Sequence, residues 1–261
     1  MFIISSDALR ASRCALPADE AHHALHVLRL KQGAHIQLTD GKGTIASAIL
    51  QPESRKSASA DIVERRNIPP RQPRISVYLG MLKSRQRLEN ALEKLTEIGV
   101  DDIILMDTEH TERQKFRMDR ARGVLVSAVK QSQSAWMPGL RHYTFETAIQ
   151  HFAQQSEGHH ILLAAHEKKE IILEDGLRRE GNRFPELRTR LYQDFGPELS
   201  TTDKNKALRL HIFIGPEGGF SLGEVTQMLR FRHARPLWLG DVRLRAETAA
   251  MQIAGLFRFG L

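Results

Sequence analysis

Beyond residue 74 the chain alternates apolar strand patterns with amphipathic helix patterns. That alternation leaves few folds open beyond a parallel sheet with helices on its faces. Ile75, Val77, Leu79 and Met81 alternate as a strand. Ser84 is placed to cap a helix in which Leu88, Ala91, Leu92, Leu95 and Ile98 recur at three- and four-residue spacing, and Gly99 is placed to end it. Residues 103–106 read as the next strand and 118–135 as a second helix, broken at Met137-Pro138-Gly139. Further strands are expected over 161–165, 208–214 and 236–239. Residues 167–207 are charged and poorly periodic, and read as a surface insertion with one helical piece near 184–195.

The chain before residue 70 has a different texture. Short β-type segments at 35–38, 44–50 and 60–64 are separated by the turn Asp40-Gly41-Lys42-Gly43 and the polar stretch 51–59. Within residues 21–30, Leu25, Val27 and Leu28 are spaced to cover the mouth of a small barrel as one short helix. Pro69, Pro70 and Pro73 block helix and central strand alike, which places a linker there. Two domains are expected, a small β-rich one over 1–70 and a larger α/β one over 74–261.

With 261 residues, 41% of them hydrophobic, the chain can bury a real core. Its single cysteine, Cys14, excludes a disulfide framework and a cysteine zinc cluster. No run approaches the roughly 18 apolar residues of a membrane helix, and the opening MFIISSDALR has no basic start followed by an apolar stretch. A cytoplasmic protein is expected. The net charge of +7 is spread, with 10 Lys and Arg against 7 Asp and Glu over 1–73, 11 against 9 over 74–140, and 17 against 15 over 141–261. Such a surface steers polyanions without a basic arm, although a merely basic enzyme fits it equally well. His22, His23 and His26 lack a cysteine or suitably spaced acid to complete a metal set, so no metal is expected.

Two loops carry the most chemical information. In the first, the apolar strand ending at Ile214 runs through Gly215-Pro216-Glu217-Gly218-Gly219-Phe220 into a helix opened by Ser221 with Glu224 three residues on, a capping box. Its glycines bring backbone N–H groups close to a ligand beside a helix N-terminus, yet it matches neither the P-loop nor the dinucleotide signature. In the second, one strand-helix unit later, Leu239-Gly240-Asp241-Val242-Arg243-Leu244-Arg245-Ala246-Glu247 enters an amphipathic helix. Consecutive strand ends with special loops are where open α/β sheets bind ligands. The plain alternative for Arg243, Arg245 and Glu247 is a solvated salt bridge at a helix start.

Together, IGPEGGFS (214–221) and LGDVRLRAETA (239–249), with KSRQRLENALEKLTEIGVDDI (83–103), SAVKQS (127–132), HHALHVLRLKQG (22–33) and DGKG (40–43), resemble the ribosomal RNA small-subunit uridine N3-methyltransferases of the SPOUT class. The resemblance implies an α/β fold with a C-terminal trefoil-knotted SPOUT methyltransferase domain built on a parallel sheet, and a small N-terminal PUA-like β-barrel. It implies S-adenosylmethionine held by backbone groups of Gly215, Gly218, Leu239, Gly240 and Leu244, with a contact from the strand at Leu163. It further implies 16S ribosomal RNA in the small subunit as substrate, with Arg29 and Lys31 on the RNA, and a homodimer whose interface takes Ala250, Ile253, Ala254 and Phe257 of the last helix. N3 of uracil carries a proton at neutral pH, so Glu217 and Glu247 are candidate bases, and Arg243 and Arg245 are candidates to hold the base oxygens or a flanking phosphate. A related enzyme acting on ribose 2′-OH or transfer RNA, and a silent RNA-binding assembly factor, remain open alternatives.

Overall fold

The computed structural model describes residues 1–112, 115–155, 159–195 and 207–259. It contains two compact units, one formed by Met1–Pro70 with Val126–Met137 and the other by Arg71–Leu125 with Pro138–Leu261.

In the first unit, strands β1 (Phe2–Ile3), β2 (Arg13–Ala15), β3 (His35–Thr39), β4 (Thr44–Pro52) and β5 (Ala58–Asn67) form one sheet in the order β1-β3-β4-β5-β2. β1 runs parallel to β3 and the remaining neighbours are antiparallel. Alternation on β4 turns Ala46, Ala48 and Leu50 inward, where they meet Phe2, Leu9, Leu38 and Ala60. Helix α1 (Ser6–Arg10) is capped by Ser5, whose Oγ accepts the Ala8 N–H at 3.2 Å. Helix α2 (Ala18–His22) passes into a π-helical turn over His23–Val27, closed by Leu28 N donating to His23 O at 2.9 Å. The wider turn shifts the register. Ala24 and Leu25 therefore face the core, while Val27 and Leu28, expected to cover a barrel mouth, point outward and are exposed. Buried Glu20 accepts the Ile3 N–H at 3.1 Å and pairs with Lys130 at 2.6 Å.

The second unit carries the expected strand-helix alternation: β6 (Arg74–Gly80), α3 (Arg85–Ile98), β7 (Asp102–Asp107), α4 (Met118–Ser132), whose residues from Val126 on belong to the first unit, β8 (Gly139–Thr144), α5 (Phe145–Ala153) and β9 (His159–His166). The insertion follows, with hairpin β10 (Glu170–Ile172) and β11 (Arg178–Glu180) and helix α6 (Phe184–Phe195). The chain then continues through β12 (Leu208–Ile214), α7 (Leu222–Leu229), β13 (Ala234–Trp238) and α8 (Ala246–Phe259). Six strands form a parallel sheet in the order β13-β9-β12-β6-β7-β8. β12, formed after β6 and β9, lies between them. Ser84 caps α3 and Gly99, at φ +84°, ends it. No helix among the described residues is long and apolar enough to cross a membrane.

Side-chain alternation supplies a core on each face of this sheet. Ile75, Val77, Leu79 and Ile212 meet α3 and α8, while Tyr78, Ile104 and Phe213 meet α5 and α7. Ala250, Ile253, Ala254 and Phe257 of α8 are wholly buried within this chain against α3, β6 and β12. The apolar face expected at a subunit interface is therefore consumed by the protein's own core. At the far end of α8, Arg258 donates to Pro73 O at 3.0 Å and Gly99 O at 2.7 Å and reaches Asp101 at 3.3 Å, while Asp101 also accepts the Ile75 N–H at 2.7 Å and pairs with Arg74 at 2.6 Å. Burial pushes the Asp101 carboxyl up and the Arg258 guanidinium down, and their attraction offsets this only in part. The cluster thus fixes geometry more than it stabilises, but removing one partner strands a buried charge. Asp101→Ala is expected to cost about 3 kcal/mol, read as a lower urea midpoint with an unchanged m-value.

Candidate active site

Three strand ends converge at the point where the sheet order reverses. β9 ends at His166, β12 at Ile214 and β13 at Trp238, and the residues that follow each strand form the walls of a cleft of about 340 Å³. The walls are 165–167, 214–220 and 239–246 without Asp241, closed by Arg87 of α3 and Ala249 of α8. Of the residues singled out from sequence, Gly215, Gly218, Leu239, Gly240, Leu244, Glu217, Arg243 and Arg245 all line it. Leu163 does not: it is fully buried in the core, and β9 reaches the cleft two residues later, through Ala165. Arg29 and Lys31 belong to the first unit, where both are exposed just beyond the π-helical turn and Arg29 takes a positive φ of 53°.

The glycine-rich loop is shaped first by the protein itself. A Cβ on Gly215 would lie 2.8 Å from the Gly219 carbonyl carbon and 2.9 Å from Phe220 N, so this glycine lets the loop fold back on itself. Clearing a path for a ligand, the role expected of it, is not its main work. A Cβ on Gly218 would lie 2.9 Å from the Cβ of His110, whose Nδ1 donates to Gly219 O at 3.2 Å. Gly240 differs, since its φ of +116° demands glycine while a Cβ there would meet open space. The loop's exit is fixed by the capping box, in which Ser221 Oγ accepts the Glu224 N–H at 3.3 Å and Glu224 accepts the Ser221 N–H at 2.8 Å. The other Glu224 oxygen accepts the Glu109 N–H at 2.9 Å.

Arg87, which the sequence reading passed over, organises the charges. Its Nε and Nη2 donate to the two oxygens of Glu247 at 2.7 and 2.5 Å, and its Nη1 donates to Glu217 at 2.8 Å. Glu217 also accepts the Lys83 N–H at 3.2 Å. Both candidate bases are thus occupied by one guanidinium. Burial pushes the Glu247 carboxyl up, but the Arg87 hydrogen bonds with the Arg87 and Arg245 charges outweigh it and hold the group below the ordinary glutamate value. A carboxylate so held is a poor proton acceptor. The only sequence signal for Arg87 was a basic residue in the first turn of a helix, and partners 130 and 160 residues away leave no local pattern.

The two candidate arginines of the second loop differ in their company. Arg243 pairs with Glu167 at 3.1 Å, both side chains being largely exposed. Arg245 is exposed at the cleft and has no carboxylate hydrogen-bonded or salt-bridged to it among the described residues. His166, also unforeseen, has its Nδ1 3.0 Å from Lys168 N and 3.3 Å from Lys168 O, so the Lys168 backbone holds the ring in place. Burial lowers its pKa, which favours the neutral ring. The cleft therefore offers backbone groups from two loops, apolar walls at Phe220, Leu239 and Leu244, and, among the described residues, one arginine with no carboxylate hydrogen-bonded to it. Among the described residues no group of His, Cys, Asp and Glu could hold a metal.

Comparison with known proteins bears on the family of the chain. A family model for an RNA methyltransferase PUA domain matches residues 16–63, and one for an RNA methyltransferase domain matches residues 70–258. The ribosomal RNA small subunit methyltransferase E of Mycobacterium bovis is 26% identical over 245 residues, covering 91% of this chain and 82% of that protein. The crystal structure of a probable rRNA-methyltransferase from Porphyromonas gingivalis is 30% identical, covers 96% of this chain and 93% of its own, and superposes with a TM-score of 0.70. That of a ribosomal RNA small subunit methyltransferase E from Neisseria gonorrhoeae, bound to S-adenosyl methionine, is 22% identical with a TM-score of 0.76 over 98% of this chain and 95% of that one. Because the larger family model runs through the sheet, both loops and nearly all of α8, the chain belongs to the RNA methyltransferase family.

Proposed function

We propose that this chain transfers the methyl group of S-adenosylmethionine to N3 of a uridine in 16S ribosomal RNA of the small subunit. The observation that carries this reading is the cleft at the ends of β9, β12 and β13, with Arg245 left uncommitted at its rim. The residues present fit the cofactor. Backbone groups of Gly215, Gly218, Leu239, Gly240 and Leu244 are available to its polar parts, the apolar walls suit an adenine ring, and Gly240 leaves the space a Cβ would occupy. When bound, S-adenosylmethionine supplies an electrophilic methyl group on a sulfonium with a good leaving group. The chain's own residues then have to orient the base and manage the N3 proton.

Arg245 is the residue for that work. A planar guanidinium can grip O2 or O4 of the base and stabilise the anion left as the N3 proton passes to solvent water at this exposed rim. Arg87 acts through others. It ties Glu217 of one loop to Glu247 at the start of α8, and so holds both walls of the cleft at a fixed spacing. Glu217 and Glu247 are on this account positioning residues, and Arg243, paired to Glu167, sits beside the entrance. Arg29 and Lys31 of the first unit contribute phosphate contacts.

The finer features follow from the same reading. The lodging of β12 between two earlier strands supports a trefoil-knotted SPOUT arrangement, and the five strands around one core support a PUA-like barrel. A homodimer rests on the family resemblance. With the α8 face buried, its interface would draw on other surface, such as the exposed Val242, Leu222 and Phe259. A cytoplasmic setting agrees with an RNA substrate and a buried, unpaired Cys14.

Three measurements test these assignments. Arg245→Ala should lower single-turnover methylation of small-subunit particles about a hundredfold, roughly 3 kcal/mol of transition-state stabilisation, with calorimetric S-adenosylmethionine affinity little changed; Arg245→Lys should recover part of the rate. Wild-type turnover in the alanine variant would return Arg245 to the solvated surface. Arg87→Met should change the pH dependence of folding. With Arg87 present, Glu247 titrates below the ordinary glutamate pKa, so its stabilisation is complete above about pH 4.3 and fades as pH falls through the lower folded value. In the variant the Arg87 hydrogen bonds and charge no longer oppose burial, so the Glu247 pKa rises and the stabilisation above that point is lost. The stability gap between the two proteins, from urea midpoints, should thus widen from acid towards neutral pH; parallel profiles would refute the pairing. Sedimentation equilibrium should give a dimer, and a monomer at every concentration would remove that part of the reading.

A further inference from the structure

The insertion between β9 and β12 builds a second concave surface at the opposite end of β13 from the cleft. Asn182, 9% exposed, stitches it to the sheet edge. Its N–H and Nδ2 both donate to Pro236 O, at 2.9 and 3.0 Å, and its carbonyl accepts the Trp238 N–H at 3.0 Å. One amide thus covers the open edge of the sheet, a site otherwise exposed to unwanted pairing. The same side chain points its Oδ1 outward to accept from Arg190 Nη1 at 3.1 Å, which fixes that guanidinium.

A groove of about 600 Å³ lies against this seam. Among the described residues Arg179, Arg190, Arg230, Arg232 and Arg235 line it, with Glu180 and Glu186 as the acids. Glu180 is already paired with Lys169 at 3.1 Å. Arg235 bends back to donate to the carbonyls of Arg232 and Ala234, at 3.2 and 2.9 Å, and so fixes the turn before β13. Arg179, Arg230 and Arg232 are exposed and have no carboxylate partner among the described residues. Gathering this many like charges costs self-repulsion that a bound polyanion relieves. Guanidinium forks match phosphate oxygens in pairs.

We infer that this groove holds a stretch of the RNA substrate's phosphate backbone, as a second anchoring site separate from the methyl-transfer cleft. The inference rests on the proposed RNA methyltransferase activity. β13 joins the two sites, and at about 3.3 Å per residue its length sets them roughly 15 Å apart. RNA held in the groove therefore reaches the cleft within a few nucleotides. Phosphate contacts of this kind set register and orientation without reading sequence.

The test uses the full-length protein with Arg179→Gln, Arg230→Gln and Arg232→Gln combined, and a second triple variant with lysine at the same positions. Binding of a labelled single-stranded RNA oligonucleotide is followed by anisotropy across a potassium chloride series, beside calorimetric titration with S-adenosylmethionine. Loss of three phosphate contacts should reduce the slope of log K against log salt by about two, with S-adenosylmethionine affinity unchanged. The lysine variant should keep most of the wild-type slope. An unchanged slope in the glutamine variant, with cofactor binding intact, overturns the groove and leaves the methyltransferase reading standing. A reduced slope in a protein that takes up no S-adenosylmethionine supports the groove and overturns that reading. Polyglutamate bound as tightly as the RNA, and weakened equally by the glutamine variant, would show that RNA is not the specific occupant.

Discussion

The placement of β12 between β9 and β6 governs the rest of the second unit. A strand hydrogen-bonded on both sides and covered on both faces is mostly apolar: Leu210, Ile212 and Phe213 are fully buried, and the buried His211 among them has His160 Nδ1 2.9 Å from its Nε2. Parallel neighbours bring the ends of β9, β12 and β13 to the same edge, so the residues after each strand meet in one cleft. Loops this close must be thin. Gly215 and Gly80 are glycines because a side chain at either would run into the backbone of the loop or into Pro216. The same compactness leaves backbone groups, and few side chains, to face a ligand.

Electrostatics then divides the labour among arginines that look alike in sequence. Arg87 is committed to two carboxylates, Arg243 to one, and Arg258 to a buried cluster at the other end of the sheet. Arg245 and the three open arginines of the insertion groove have no such commitment among the described residues. A guanidinium that is already paired gains little from a new anion, whereas an open one keeps its full attraction for it. The distinction separates residues that hold the site together from residues available to RNA. Methyl transfer from a sulfonium asks for this kind of site, one that positions two reactants and stabilises one developing anion.

Much of this protein was legible along the chain. Period-two and period-3.6 patterns marked the alternation of strands and helices from residue 74, and Ser84, Gly99 and Ser221 marked helix ends because capping is a local property of a few consecutive residues. The two glycine loops announced themselves because a strand-to-helix turn seldom needs so many glycines. The π-helical turn was not legible, since a one-residue widening leaves no periodic trace, and it reversed the expected facing of Val27 and Leu28.

Only the tertiary structure decided what the polar and interfacial residues do. Glu217 and Glu247 read as bases until Arg87, more than a hundred residues earlier, occupied them both, and the apolar face of α8 read as a subunit interface until α3, β6 and β12 covered it. The insertion read as a charged surface segment with one helical piece, now α6, and no groove was legible in it because its arginines converge with those following α7 only across the edge of β13. Secondary structure is set by neighbours within a few residues, so one sequence suffices to find it. Pairing of charges and covering of faces depend on the three-dimensional path of the chain, which places Arg87 between two glutamates that are themselves thirty residues apart.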